Sequence, residues 1–327
     1  MNYVSLGSSG LKVSKLCLGT MTYGDPQWRD YVLDEKESRP FFEKALELGI
    51  NFFDTADGYS IGESERVVGS ALSDLTDREQ YVLATKVFLP MGPGPNQRGL
   101  SAKHLMSAVD DSLRRLGTEY IDIYWIHRWD DTTPIAETME ALHRILESGK
   151  VRYIGASSMF AWQFAKAQHT ADLNNWSRFI GMQNHYNLVY REEEREMIPM
   201  CRDQGVGICP WSPLARGFLA GNRGKHRSEG ETERAKSDVR AEHYYYRDSD
   251  FAVLDAVESI ADKRGVEPAQ VALAWLLNKP YVDAPIIGAT KLWQIESAVD
   301  ALRIDLTDAE IERLERPYRP KPVMGHA

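Results

Sequence analysis

"SAKHLMSAVDDSLRRLGTEYIDIYWIH", residues 101–127, carries two periodicities side by side. In its first part Leu105, Val109, Leu113 and Leu116 recur on one face of a helix that Ser101 is placed to cap and Gly117 to stop. In its last part, 121–127, apolar residues run almost unbroken, as they do in a strand buried on both faces. A helix handing over to such a strand through a short turn is the repeating unit of a parallel α/β sheet.

The unit recurs along the chain. Strands are expected at 15–20, 51–56, 81–87, 121–127, 151–157, 181–187, 206–211 and 284–289, eight in all. Helical stretches separate them: 38–48, punctuated by Ser38, Pro40 and Gly49, and 133–148, started by Thr133 and Pro134 and stopped by Gly149. Eight strand–helix units point to one closed (β/α)8 TIM barrel over residues 1–327. A doubly wound open sheet is the alternative, but no GxGxxG turn follows the first strand. Residues 4–14, "VSLGSSGLKVS", alternate around a Gly/Ser turn, which predicts a β-hairpin capping the barrel floor. Residues 215–249 predict a long loop after strand seven, on the face where barrel active sites lie.

Composition sets outer limits. The chain has 327 residues, 43% hydrophobic and 27% charged, which is ordinary globular usage. A formal charge of −9 argues against a broad grip on nucleic acid or anionic lipid. Cys17, Cys201 and Cys209 are odd in number and have no CxxC spacing, so reduced thiols in a cytoplasmic protein are expected. The N-terminus lacks a signal-peptide pattern, and no apolar run reaches membrane-spanning length.

In a barrel the chemistry sits at the C-terminal ends of the strands. The second strand ends near Asp54 with Tyr59 in the following loop, the third at Lys86 and the fourth at His127. Singly, these read as a turn cap, a rim aromatic, a snorkelling lysine and a core histidine. Together they read differently. A lysine and an aspartate within apolar strands are costly to bury unless they pair, and strands about 4.8 Å apart would bring all four to one pocket.

"NFFDTADGY", "VLATKV" and "IYWIHRWD", followed by "YIGASS", "MQNHYN", "PWSPLARG" and "IIGATK", resemble the aldo-keto reductase family over nearly the whole chain, closest to its aryl-alcohol-dehydrogenase-like and deoxyxylulose-phosphate-synthase-like branch. The resemblance implies a catalytic tetrad of Asp54, Tyr59, Lys86 and His127, with Asp57 left as a turn residue. It implies reduction of an aldehyde or ketone, with hydride from NADP(H) and the proton from Tyr59. A tyrosine hydroxyl is ordinarily a weak acid, with a pKa near 10. The Lys86 ammonium would stabilise the phenolate, Asp54 would hold Lys86, and His127 would orient the carbonyl. The implied cofactor contacts are Gly19, Thr20, Met21 and Asp54; Ser157, Ser158 and Gln183 at the carboxamide; and Trp211 stacked on the nicotinamide. Ser212, Pro213, Leu214, Arg216 and Gly217 would lie along the pyrophosphate, and Gly288, Ala289, Lys291 and Gln294 at the adenosine 2′-phosphate. The chain departs from the common family pattern at Ser158, Ser297 and Ala298. No metal is called for.

Tyr23, Trp28, Phe88, Arg128 and Trp129 stand on or near strand-end loops as candidate substrate contacts for a sugar-derived, sugar-phosphate or aryl carbonyl. Lys225, His226 and Arg227 in the long loop are further cations, and the triple tyrosine 244–246 has no evident role. Two other readings stand beside the reductase. One is a Schiff-base lyase using Lys86. The other is a non-enzymatic, NADP-sensing subunit resembling those of potassium channels.

Overall fold

The computed structural model describes residues 1–221, 241 and 244–326. Strand β1 (Tyr3–Ser5) pairs antiparallel with β2 (Lys12–Ser14), with Val4 opposite Val13. Eight parallel strands follow: β3 (Cys17–Gly19), β4 (Phe52–Asp54), β5 (Val82–Val87), β6 (Ile121–Ile126), β7 (Val151–Ser157), β8 (Gly181–Gln183), β9 (Gly207–Ile208) and β10 (Ile286–Ile287). Their order is β10-β3-β4-β5-β6-β7-β8-β9. The ends of this row meet: the Asp283 amide donates to the Ile208 carbonyl and the Ile286 amide to the Pro210 carbonyl, both at 2.9 Å. The sheet thus curls into the (β/α)8 barrel that the alternation predicts.

Several strands are shorter than expected. The 181–187 stretch is a strand only to Gln183, with isolated bridges from His185 to Trp211 and from Asn187 to Tyr190. The 206–211 and 284–289 stretches keep two residues each in register. The 38–48 helix begins earlier, at Glu35, because Asp34 accepts from the Glu37 amide and Glu37 caps in return, a reciprocal box that outweighs the start signals at Ser38 and Pro40.

The core has two shells. Outside the sheet, apolar residues of helices such as Glu63–Leu75 and Ala102–Leu116 pack on outward strand residues including Leu83 and Tyr124. Inside the barrel, Cys17, Phe52, Ile123, Trp125 and Cys209 meet Leu6 and Val13 of the hairpin, which closes the floor. Trp125 lies across two glycines. An added Cβ would come within 2.2 Å of its ring at Gly155 and 2.8 Å at Gly181. The three cysteines are buried and free.

Candidate active site

Strand β4 delivers Asp54 and β5 delivers Lys86 to the open end of the barrel, where both are almost wholly buried. Lys86 Nζ donates to Asp54 Oδ2 at 2.5 Å, to the Thr55 carbonyl at 2.7 Å and to the Tyr59 hydroxyl at 3.3 Å. The other Asp54 oxygen accepts from Gln183 Nε2 at 2.8 Å, so this carboxylate is held from two sides. Burial by itself pulls the Lys86 ammonium down. The Asp54 carboxylate and Tyr59 more than reverse this, and Lys86 is held above the ordinary lysine range. Burial lifts the Asp54 carboxyl, and Lys86 and Gln183 oppose the rise.

His127 follows β6, with its ring edge-on to Tyr59 at a centroid distance of 5.9 Å. Burial, then Arg128 and Lys86, push its pKa well below the ordinary value. It is therefore a neutral imidazole at pH 7, able to donate from one nitrogen. The Tyr59 oxygen already accepts from Lys86, which leaves its own proton to pass outward.

Tyr59 opens a short turn, Tyr59–Gly62, whose next residues are left-handed: Ser60 at φ 48°, Ile61 at 52° and Gly62 at 90°. A β-branched residue there is a true outlier, and each such non-glycine costs about 1–3 kcal/mol. The turn is paid for by close packing: a Cβ at Gly58 would meet Leu89 at 2.8 Å, and one at Gly24 would meet Ser60 at 2.6 Å.

The remaining candidates divide. Thr20 ties β3 to β4 through the Asp54 carbonyl and meets Ser64 at 3.1 Å. Ser157 Oγ donates to the Gln183 carbonyl, and Trp211 Nε1 donates to Ser158 Oγ at 2.9 Å, so these groups are tied to one another. Trp211 stacks by one face on His185, 4.2 Å between centroids and 10° between planes, and the Arg128 guanidinium lies 5.9 Å from the Trp211 ring centre. Ser212, Ala215, Arg216 and Gly217 all have positive φ. Gln294 folds back to accept from the Thr290 and Lys291 amides, which leaves the exposed Lys291 side chain as the cation of that turn.

Tyr23 requires a correction. Expected at the mouth, it is wholly buried, packed on Phe41 and Phe42, with its hydroxyl donating to the Ala289 carbonyl. The turn after β3 folds it inward because the helix Glu35–Glu47 presents an apolar face there. Trp28, Phe88, Arg128 and Trp129 are partly exposed. Trp129 meets Trp162 edge-on at 6.0 Å, and Trp162 and the nearby Phe160 are exposed large aromatics that the sequence reading passed over. Aromatics scattered after a strand carry no periodic signal that would have marked them. The triple tyrosine does have a place. Tyr245 bonds His185 Nε2 at 2.7 Å and Tyr244 packs on the same ring, while Tyr246 lies against Phe218 and Phe251. Of the 215–249 loop, Ala215–Ala220 forms a tight turn, whereas Lys225, His226 and Arg227 lie outside the described residues. Among the described residues, no group of three or more His, Cys, Asp or Glu side chains is placed to hold a metal ion, and no helix is long and apolar enough to cross a membrane.

Comparison with known proteins gives one consistent answer. The model of the "Aldo/keto reductase family" matches residues 15–319. A versiconal hemiacetal acetate reductase of Aspergillus parasiticus is 47% identical, over 99% of this chain and 98% of that one. An aryl-alcohol dehydrogenase-like protein of Schizosaccharomyces pombe is 44% identical, over 99% of this chain and 97% of its own length. An aldo-keto reductase of Alternaria alternata is 44% identical, over 99% and 94%.

Proposed function

The chain belongs to the aldo/keto reductase family, and from that premise we propose that it is a cytoplasmic NADPH-dependent reductase of aldehydes or ketones, with flat aromatic carbonyls as its substrate class. The observation that carries this reading is the buried line from Asp54 through Lys86 to the Tyr59 hydroxyl, with neutral His127 beside it.

The roles follow from the geometry. Asp54, fixed by Gln183, keeps Lys86 charged and aimed. Lys86 stabilises the phenolate that forms as Tyr59 gives its proton to the carbonyl oxygen. His127 donates a hydrogen bond that orients the same oxygen. When bound, the nicotinamide supplies the hydride for the carbonyl carbon. The same ion pair speaks against the Schiff-base alternative, because an ammonium held by Asp54 is a poor nucleophile.

The residues present fit a dinucleotide. Ser212 and Ala215–Gly217 hold positive φ in a tight turn whose Ala215 and Gly217 amides bond back to the Ser212 and Leu214 carbonyls, a compact left-handed loop along which a pyrophosphate would lie. A Cβ on Gly217 or Gly288 would meet nothing within 4 Å, so the chain leaves space there. Trp211, held flat by His185, offers a ring face for stacking. Lys291 begins the helix Leu292–Asp300, where a 2′-phosphate would favour NADPH over NADH. For the substrate class, the Trp129–Trp162 pair and exposed Phe160 offer aromatic surface at the mouth, and one relative bears the name of an aryl-alcohol dehydrogenase.

Oxidation of NADPH and of NADH with 4-nitrobenzaldehyde, followed at 340 nm, tests the reading. Turnover with NADPH that Tyr59→Phe abolishes is expected. Cofactor binding without turnover of any carbonyl would favour the sensing-subunit alternative.

A further inference from the structure

The turn that carries Tyr59 runs straight into the helix Glu63–Leu75, whose first turn buries two polar residues, Ser64 and Glu65. Buried polar groups at this position need partners, and the partners are informative. Ser64 Oγ donates to the Thr20 carbonyl and lies 2.9 Å from Thr55 Oγ1, so it is bound to the ends of β3 and β4. Glu65 is wholly buried and reaches the other way. Its Oε1 accepts from Thr85 Oγ1 at 2.6 Å, and its Oε2 accepts from Arg115 Nε at 2.6 Å. Thr85 is the neighbour of Lys86 on β5. Arg115, from the last turn of the helix Ala102–Leu116, crosses beneath the Tyr59 turn: a Cβ at Gly62 would lie 2.6 Å from its Cδ and 2.8 Å from its Nε. Both ends of the 3.3 Å contact between Lys86 and Tyr59 are therefore attached to one carboxylate.

The strain in the turn gives this attachment a purpose. Ser60 and Ile61 hold left-handed backbone that such residues leave when nothing compels them. Relaxation of either would swing Tyr59, which directly precedes them. Ile61 is 58% exposed, so burial of its own side chain does little to hold this backbone. Besides the packing at Gly58 and Gly24, the turn is backed from behind the sheet by Arg115.

We infer that Glu65 and Arg115 are positioning residues for proton donation: their ion pair clamps the left-handed Tyr59–Gly62 turn onto strand β5 and so sets the Tyr59–Lys86 contact from the side of the barrel away from substrate. The inference rests on the reductase reading for its kinetic consequence, but the clamp itself is read without catalysis.

The test uses Arg115→Met, Arg115→Lys and Glu65→Gln, each with 3-fluorotyrosine at position 59. Arg115→Met lowers kcat for 4-nitrobenzaldehyde roughly 10- to 100-fold, the scale on which small misplacements act. KM and the NADPH dissociation constant stay within about twofold. The 19F resonance of residue 59, taken without substrate or cofactor, shifts or broadens in Arg115→Met and returns toward the wild-type position in Arg115→Lys. Glu65→Gln, which retains an acceptor for Thr85, shows the same effects in milder form and serves if Arg115→Met does not fold. An unchanged 19F resonance and kcat, with only a lower melting temperature, would overturn the inference. Absence of turnover in the wild-type protein would count against the reductase reading alone, and the 19F comparison would still decide the clamp.

Discussion

At the scale of single residues, the candidate site gathers charged groups that the fold buries. Lys86 has its three donors directed to Asp54, the Thr55 carbonyl and Tyr59, which uses every proton of the ammonium. Tyr59→Phe keeps the ring and removes only the hydroxyl. Since general acid catalysis contributes about 10²–10⁴-fold, kcat for aldehyde reduction should fall by at least roughly 100-fold, with NADPH affinity unchanged by fluorescence titration. Lys86→Met should act on the same step, and the double variant should be little slower than the worse single variant, because the pair acts as a unit. Fully additive losses would show that the two residues serve separate steps. Asp57, which reads from its sequence position as a turn residue, is buried beside this unit, and burial and then Glu65 push its carboxyl well above the ordinary range.

At the scale of elements, strand register decides what the barrel can hold. Trp125 on β6 is level with Gly155 on β7, and Gly155 with Gly181 on β8, so two adjacent strands give up their side chains to seat one indole. Gly155→Ala should overpack this layer and destabilise the protein by about 1–3 kcal/mol, read as a lower denaturant midpoint at unchanged m-value. A neutral result would mean that Trp125 has room to move. A second prediction concerns the start of the helix Leu292–Asp300. Gln294 already occupies the amides of Thr290 and Lys291, so under the proposed function discrimination between cofactors would fall to the Lys291 side chain. Lys291→Ala should weaken NADPH binding about tenfold, as expected for loss of one charge-assisted contact of roughly 1.5–3 kcal/mol, and leave NADH binding nearly unchanged. Equal loss for both cofactors would exclude a 2′-phosphate contact.

At the scale of the molecule, buried titratable groups couple stability to pH. His127 and His185 are neutral in the fold because burial, aided by neighbouring cations, holds both well below the ordinary histidine value. In the unfolded chain they titrate near 6.5. As pH falls through that value, the unfolded chain takes up protons that the fold refuses, so stability falls by up to about 1.4 kcal/mol per pH unit for each histidine. Asp57 has the opposite sign. Its folded pKa is raised, so its contribution is complete below about 3.9 and is lost as pH rises toward the folded value. His185→Gln should therefore make the fall in unfolding free energy between pH 7 and 5 shallower by up to about one proton, and Asp57→Asn should remove a contribution that grows as pH falls toward about 3.9. Parallel profiles for wild type and both variants would show that these groups titrate alike in folded and unfolded chains. The C-terminal segment is held by another buried pair, Lys321 Nζ to Asp250 Oδ2 at 2.7 Å. Lys321→Met would strand the Asp250 charge, with an expected loss of about 3–5 kcal/mol by chemical denaturation.

The linear chain was enough to specify the barrel and to single out Asp54, Tyr59, Lys86 and His127, which the fold brings together at its open end. Helix and strand periods are local, and Asp54, Lys86 and His127 fall at the ends of apolar runs, where neighbouring strands can bring polar partners together. Turn chemistry was equally legible at Ser101 and Gly117, which cap and stop their helix. Depth and partnership were not legible. Tyr23 follows a strand end much as Trp129 does, yet one ring is in the core and the other is at the mouth, because a helix remote in sequence covers only the first. Glu65 and Arg115 look like ordinary residues of two amphipathic helices and become one ion pair, its carboxylate wholly buried, only when those helices pack. The three tyrosines at 244–246 acquire a role only where Tyr244 and Tyr245 close around His185. Periodicity is set by neighbours along the chain, whereas burial and charge pairing are set by neighbours across it, and only the folded barrel determines which those are.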